Sequence, residues 1–187
     1  MALIIGQGHA TDHDFDQPLG LLSDCHRRIE HFLSVLLRVA REFSNRPLTS
    51  DSIAALNTCK RYFASAAPKH TADEEESLFP RMRKAAAASG RACDALDRLE
   101  SDHQDADVLH SSVDGLLEQW LSAGTLALDQ AQSLITALER LERLYVAHIQ
   151  VEDREVFPLA AQLLDAEALA DVGQEMKSRR GLAVSGT

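Results

Sequence analysis

From about Pro18 onward, apolar residues recur every three or four positions, the period of a helix that buries one face. Leu22, His26, Ile29, Leu33, Leu36 and Ala40 form the first stripe. The segment SNRPLTSD ends it, and Thr49 or Ser50 can cap the next helix. Ile53, Leu56, Phe63, Ala67, His70, Glu74 and Leu78 make the second stripe. Pro68 falls inside it and predicts a kink, or two helices joined end to end. Gly90 in AAAASGRA is a stop signal. Leu96, Leu99, His103, Ala106, His110, Val113 and Leu117 give the third stripe, which ends at SAGT. The fourth runs through Leu134, Leu138, Leu141, Tyr145, His148, Glu152 and Val156. A short further helix is expected from about Asp165 to Arg180. No strand alternation is present.

The pattern predicts an all-α fold, an up-down-up-down four-helix bundle with a short extra C-terminal helix. Residues 1–17 read as a flexible lead-in, 18–180 as the bundle domain and 181–187 as a frayed tail. The 187 residues suffice for one sizeable core. A net charge of −10, with no Lys/Arg cluster, argues against nucleic-acid binding. No apolar run reaches the roughly 18 residues of a membrane span, and the start lacks the features of a secretory signal. Cys25, Cys59 and Cys93 are odd in number and form no C-x-x-C, which suits a reducing cytoplasm and small buried side chains.

The chemistry lies in the histidines on those stripes. His26 and His70 are 44 residues apart, and His103 and His148 are 45 apart. The chain therefore reads as two helical hairpins on one plan. The first helix of each carries an inward His; the second carries His-x-x-x-Glu followed by an acid, three residues and Phe-Pro. These motifs are HTADEEESLFP, from His70, and HIQVEDREVFP, from His148. Burying an unpaired carboxylate costs several kcal/mol even after relaxation, so two Glu on buried stripes need a physical reason. Metal ions would offset that cost. Positions i and i+4 share a helix face, about 6 Å apart along the axis. Four imidazoles and two carboxylates exceed one tetrahedral zinc but suit two ions, each with two His and bridged by both Glu. Mixed imidazole and carboxylate ligation ranks iron first, ahead of manganese and zinc. An oxo or hydroxo bridge would add a fifth bond and leave one position per ion open for a small ligand.

LLSDCHRRIEHFL, HTADEEESLFPRM, LESDHQDADVL and HIQVEDREVFPL resemble the four helices of the hemerythrin-like (HHE cation-binding) family. The resemblance spans about residues 18–160. It implies a four-helix bundle around a non-haem di-iron centre, with His26, His70, His103 and His148 as ligands and Glu74 and Glu152 as bridges. Oxygen-carrying hemerythrins use a fifth His one turn after the third-helix His; here Asp107 stands there. Asp107 either ligates, orients His103, or is a solvated helix acid. The four-His, two-Glu set is instead similar to di-iron proteins that respond to nitric oxide and repair iron–sulfur centres. The absence of Cys from residues 1–17 argues against that repair role.

Around this set, His110 is placed in the core or beside the ligands, two turns past His103. Tyr145 either donates to a metal-bound ligand or fills the core, the second being favoured. Glu75 and Asp153 read mostly as solvated acids, with a bond to a ligating imidazole as the alternative. His31 reads as surface, and His9 and His13 as a solvated tail. Phe79 and Phe157 are expected to pack at the bundle end, with Pro80 and Pro158 bending or ending their helices. The function expected is binding, sensing or detoxification of a small oxidant: O2, NO or peroxide. The alternatives are a di-iron enzyme for peroxide dismutation, NO reduction or iron–sulfur centre repair, iron storage or buffering, and a metal-free bundle. The electron donor is open.

Overall fold

The computed structural model describes residues 12–183. Helix α1 (Pro18–Phe43) is followed by a column of three segments, α2 (Ser50–Ser65), α3 (Ala67–Ala72) and α4 (Phe79–Ser89). Then come α5 (Ala95–Ala123) and the column of α6 (Leu128–Val151) and α7 (Phe157–Leu163). A last helix, α8 (Ala166–Arg179), folds back onto the bundle. Helix α1 packs against α2 and α6, and α5 packs against α6 and α2, so the four columns alternate in direction around one core. His9 lies outside the described residues.

The local signals explain the breaks. Pro68 sits in the first turn of α3, where its missing N–H is not needed, and the column breaks at Ala66. Thr49 caps α2 in a reciprocal box with Ser52. Gly90 and Gly124 end α4 and α5 with φ of 65° and 75°, a conformation that glycine adopts without strain. Asp165 caps α8 by accepting from the Ala168 N–H.

Three local expectations are corrected. Pro80 and Pro158 neither end nor merely bend their helices: the column runs on through both. A π-helical turn precedes each, over Asp73–Leu78 and Glu152–Val156. A proline ring clashes with the carbonyl four residues back, and the wider turn removes that conflict. Ile53 is exposed, because α2 turns Ala55, Leu56 and Cys59 inward instead. His31 is half-buried beside Phe32 rather than fully at the surface.

The core is divided. One apolar cluster gathers Ile29, Leu36, Leu56, Val113, Trp120 and Leu138. The other gathers Leu22, Phe79, Leu99, Phe157, Val172 and Met176. On every column the buried His, Asp and Glu residues fall between the two. Phe79 and Phe157 belong to the second cluster, at the expected end.

Helix α8 and residues 12–17 close that end. Asp73, fully buried, accepts from Arg179 Nη1 and Arg180 Nη2, each at 2.6 Å. Arg179 also donates to Ser77 Oγ at 2.7 Å. Residues 12–17 carry no helical period, yet they are anchored. The His13 backbone N–H donates to Asp24 Oδ2 at 2.9 Å, and Asp24 also pairs with Arg27. The Phe15 carbonyl lies so close over Gly173 that a Cβ there would stand 1.9 Å from its oxygen. His13 is therefore a structural contact and not a solvated tail residue.

Replacing both Arg179 and Arg180 with Ala should cost more stability than Asp73→Ala. The two guanidinium groups can swing into water, whereas Asp73 cannot. Urea unfolding should give a loss of about 3–5 kcal/mol for the double variant and a smaller one for Asp73→Ala.

Candidate metal centre

Two turns of helix bring the polar band together. His70 and Glu74 lie one turn apart, as do His148 and Glu152, and in each pair the Glu stands at or beside the start of the π-helical turn. His26 comes from α1 and His103 from α5. All six side chains are buried, and both carboxylates are fully so.

The six form two overlapping groups. Ligand atoms of His26, His70, Glu74 and Glu152 all lie within 4.8 Å of one another, and so do those of Glu74, His103, His148 and Glu152. Among the described residues these are the groups of three or more His, Cys, Asp or Glu that could hold a metal ion. Glu74 spans them. Its Oε1 is 3.3 Å from His70 Nε2 and 3.9 Å from His26 Nε2, while its Oε2 is 3.4 Å from His103 Nε2. Glu152 Oε2 lies 3.1 Å from His26 Nε2 and 3.2 Å from His148 Nε2. The rings pair accordingly, His26 with His70 at 5.0 Å between centroids and His103 with His148 at 4.6 Å.

Both oxygens of Glu74 and of Glu152, with Nε2 of His26 and of His148, are buried without a hydrogen-bond partner. Buried polar atoms are normally satisfied, so a concentration of converging donor atoms with none fits cations at the centre. Two carboxylates shared by two imidazole pairs would offer each of two ions four protein ligands.

The opposite ring edges are held from outside. His26 Nδ1 meets Asp153 Oδ1 at 3.1 Å, and Ser23 Oγ donates to the same oxygen at 2.7 Å. His103 Nδ1 meets Glu75 Oε1 at 2.8 Å, and His148 Nδ1 lies 3.4 Å from Asp102 Oδ2. Carboxylates in this position fix the ring and point Nε2 inward. The reading of Glu75 and Asp153 as mainly solvated acids is therefore corrected, since each crosses to a ring of the other hairpin. Asp102 is a residue that the sequence pattern missed; its signal was its place immediately before His103. Phe157 stacks on His26 at 5.4 Å.

Asp107 is exposed and stands in neither group, and its place beside His103 Nδ1 is taken by Glu75. His110 Nε2 lies 2.9 Å from the Tyr145 hydroxyl, so these two form a pair, one from α5 and one from α6. Burial pushes His110 down to about 4 against the opposing fields of Asp107 and Asp114, and burial pushes the Tyr145 phenol up. Both are neutral near pH 7.

Without metal the cluster is an acid–base network. Burial lowers His26, His70 and His103, but the carboxylates, joined at His70 by Cys25, outweigh it and all three end above the ordinary imidazole range, His103 at about 9. Burial raises Glu74, and its three imidazole neighbours hold it far below the carboxylate range.

A hemerythrin HHE cation-binding domain model matches residues 17–160, most of the chain, and the protein belongs to that family. It is also 27% identical over 183 residues to a protein of Haemophilus influenzae, covering 96% of this chain and 98% of that one. That relative is described only as an uncharacterized protein. No helix among the described residues is long and apolar enough to cross a membrane.

The raised His103 gives the metal-free protein a defined pH response. A folded pKa above the unfolded value stabilises fully below about 6.5 and is lost as pH rises through about 9. Thermal melts of metal-free protein should show stability falling between pH 6.5 and 9.5, by on the order of 3 kcal/mol for this group. Metal-loaded protein should lack that fall, because its imidazoles are already deprotonated.

Proposed function

We propose that this protein is a non-haem di-iron protein that binds, senses or detoxifies a small oxidant: O2, NO or peroxide. The observation that carries the reading is the unpartnered set of carboxylate oxygens and imidazole nitrogens converging from four columns. His26 and His70 would hold one iron and His103 and His148 the other, with Glu74 and Glu152 between them. Iron bound there would supply redox and Lewis-acid chemistry.

The chain's own residues suit a small ligand. Apolar clusters on both sides keep bulk water from the band, which strengthens electrostatic interactions inside it. A cavity of about 230 Å³ between α2 and α5 is lined by Leu36, Lys60, Phe63, His110, Val113 and Leu117. It leads to the His110–Tyr145 pair, and Tyr145 lies one turn before His148. With neutral His110, the bond runs either from the phenol to Nε2 or from Nε2–H to the phenol oxygen. In the second arrangement the phenol hydrogen is free to point at a ligand in the centre. Storage predicts further metal groups, and among the described residues the two groups share one six-residue set. Evolution of O2 from peroxide, or of nitrous oxide from NO, by the iron-loaded protein would assign catalysis rather than binding alone.

Protein loaded with Fe(II) under anaerobic conditions should carry two irons per chain by elemental analysis. His70→Ala and Glu152→Gln should each lower this to one or fewer, while His110→Ala should leave it near two. Equal loss in all three variants would place the metal elsewhere.

Tyr145→Phe should keep both irons. It should weaken binding of azide to the oxidised protein about tenfold, the worth of one hydrogen bond to a charged ligand. An optical titration reads the effect.

A further inference from the structure

The two halves of the centre are built on one plan, with one departure. Three of the four imidazoles have a carboxylate at Nδ1: Asp153 for His26, Glu75 for His103 and Asp102 for His148. The fourth, His70 Nδ1, is buried without a hydrogen-bond partner. The internal repeat says what should stand there. Glu75 and Asp153 are equivalent, each following a bridging Glu and crossing to the opposite hairpin. Asp102 immediately precedes His103 and serves the other His of its own hairpin. The residue that immediately precedes His26 is Cys25. Its thiol is buried and interacts with His70, without closing a hydrogen bond of ordinary geometry. Arg28 Nη2 donates to the same sulfur at 2.9 Å.

We infer that Cys25 is the positioning residue for His70, and that its thiol makes the His26/His70 half the weaker metal position. A carboxylate accepts strongly from an imidazole N–H, fixes the ring and raises the basicity of the opposite nitrogen; partners of this kind are worth about 10–100-fold in metal affinity. Sulfur is a weaker acceptor than a carboxylate oxygen, and Arg28 already donates to this one. The His103/His148 half has two carboxylates behind its rings and the His26/His70 half has one. Iron therefore fills the His103/His148 position first, and the second ion is the exchangeable one. This rests on the di-iron reading above.

The test is anomalous diffraction at the iron edge from crystals of the whole chain grown anaerobically with one Fe(II) per protein. Iron occupancy should favour the His103/His148 position by about tenfold or more. Cys25→Asp restores the repeat and places a carboxylate beside Arg28; it should bring the two occupancies within about threefold of each other. Asp102→Cys approaches equality from the other side, by giving both halves one thiol. Circular dichroism verifies that each variant is folded, and either variant alone decides the question if the other is not. Equal occupancy in the unmodified protein, or a preference that survives in a folded variant, overturns the inference while leaving the di-iron reading intact. Iron at neither position overturns both.

Discussion

Two fully buried carboxylates surrounded by imidazoles are the constraint around which the rest of the molecule is arranged. Isolated in an apolar core, each would cost several kcal/mol, and no hydrogen bond from the protein satisfies any of their four oxygens. Without metal, the carboxylates favour protons on three of the imidazoles, which they hold above the ordinary imidazole range. With metal, cations compensate the charge directly. Either way the band forbids a continuous apolar core, and it accounts for the two separate clusters.

The supporting structure holds that band in place. The π-helical turns begin at or beside the Glu residues and end two residues before Pro80 and Pro158, so one backbone device aims the carboxylate and accommodates the proline. Asp73, next to Glu74, is clamped by Arg179, the last residue of α8, and by Arg180 just past its end, which ties the last helix to the first π turn. Three outer carboxylates fix three rings. The fourth ring, backed by sulfur, is where the two halves differ.

The helices and the six candidate ligands were legible because their signals are local. A 3.6-residue period marks a buried face, and His-x-x-x-Glu places two donors on it without reference to other helices. The partners behind the rings were harder to read, because they depend on how columns sit side by side. His26 and Asp153 are 127 residues apart, and His148 and Asp102 are 46 apart. A position one residue beyond a ligand looks solvent-facing on its own helix, and it becomes a contact only when the neighbouring column arrives. The π turns were hidden for a related reason. Proline announces a disturbed ladder but not whether the helix stops, bends or widens. Asp107 attracted notice by resemblance alone, and Glu75 occupies the contact that Asp107 would have made.

The most direct test of the centre is X-ray absorption at the iron edge on loaded protein in solution. Two ions held by six side chains predict about two imidazole rings per iron and a second iron roughly 3.5–4 Å away. A shell of oxygen ligands without imidazole scattering, or iron with no iron neighbour, would contradict the account.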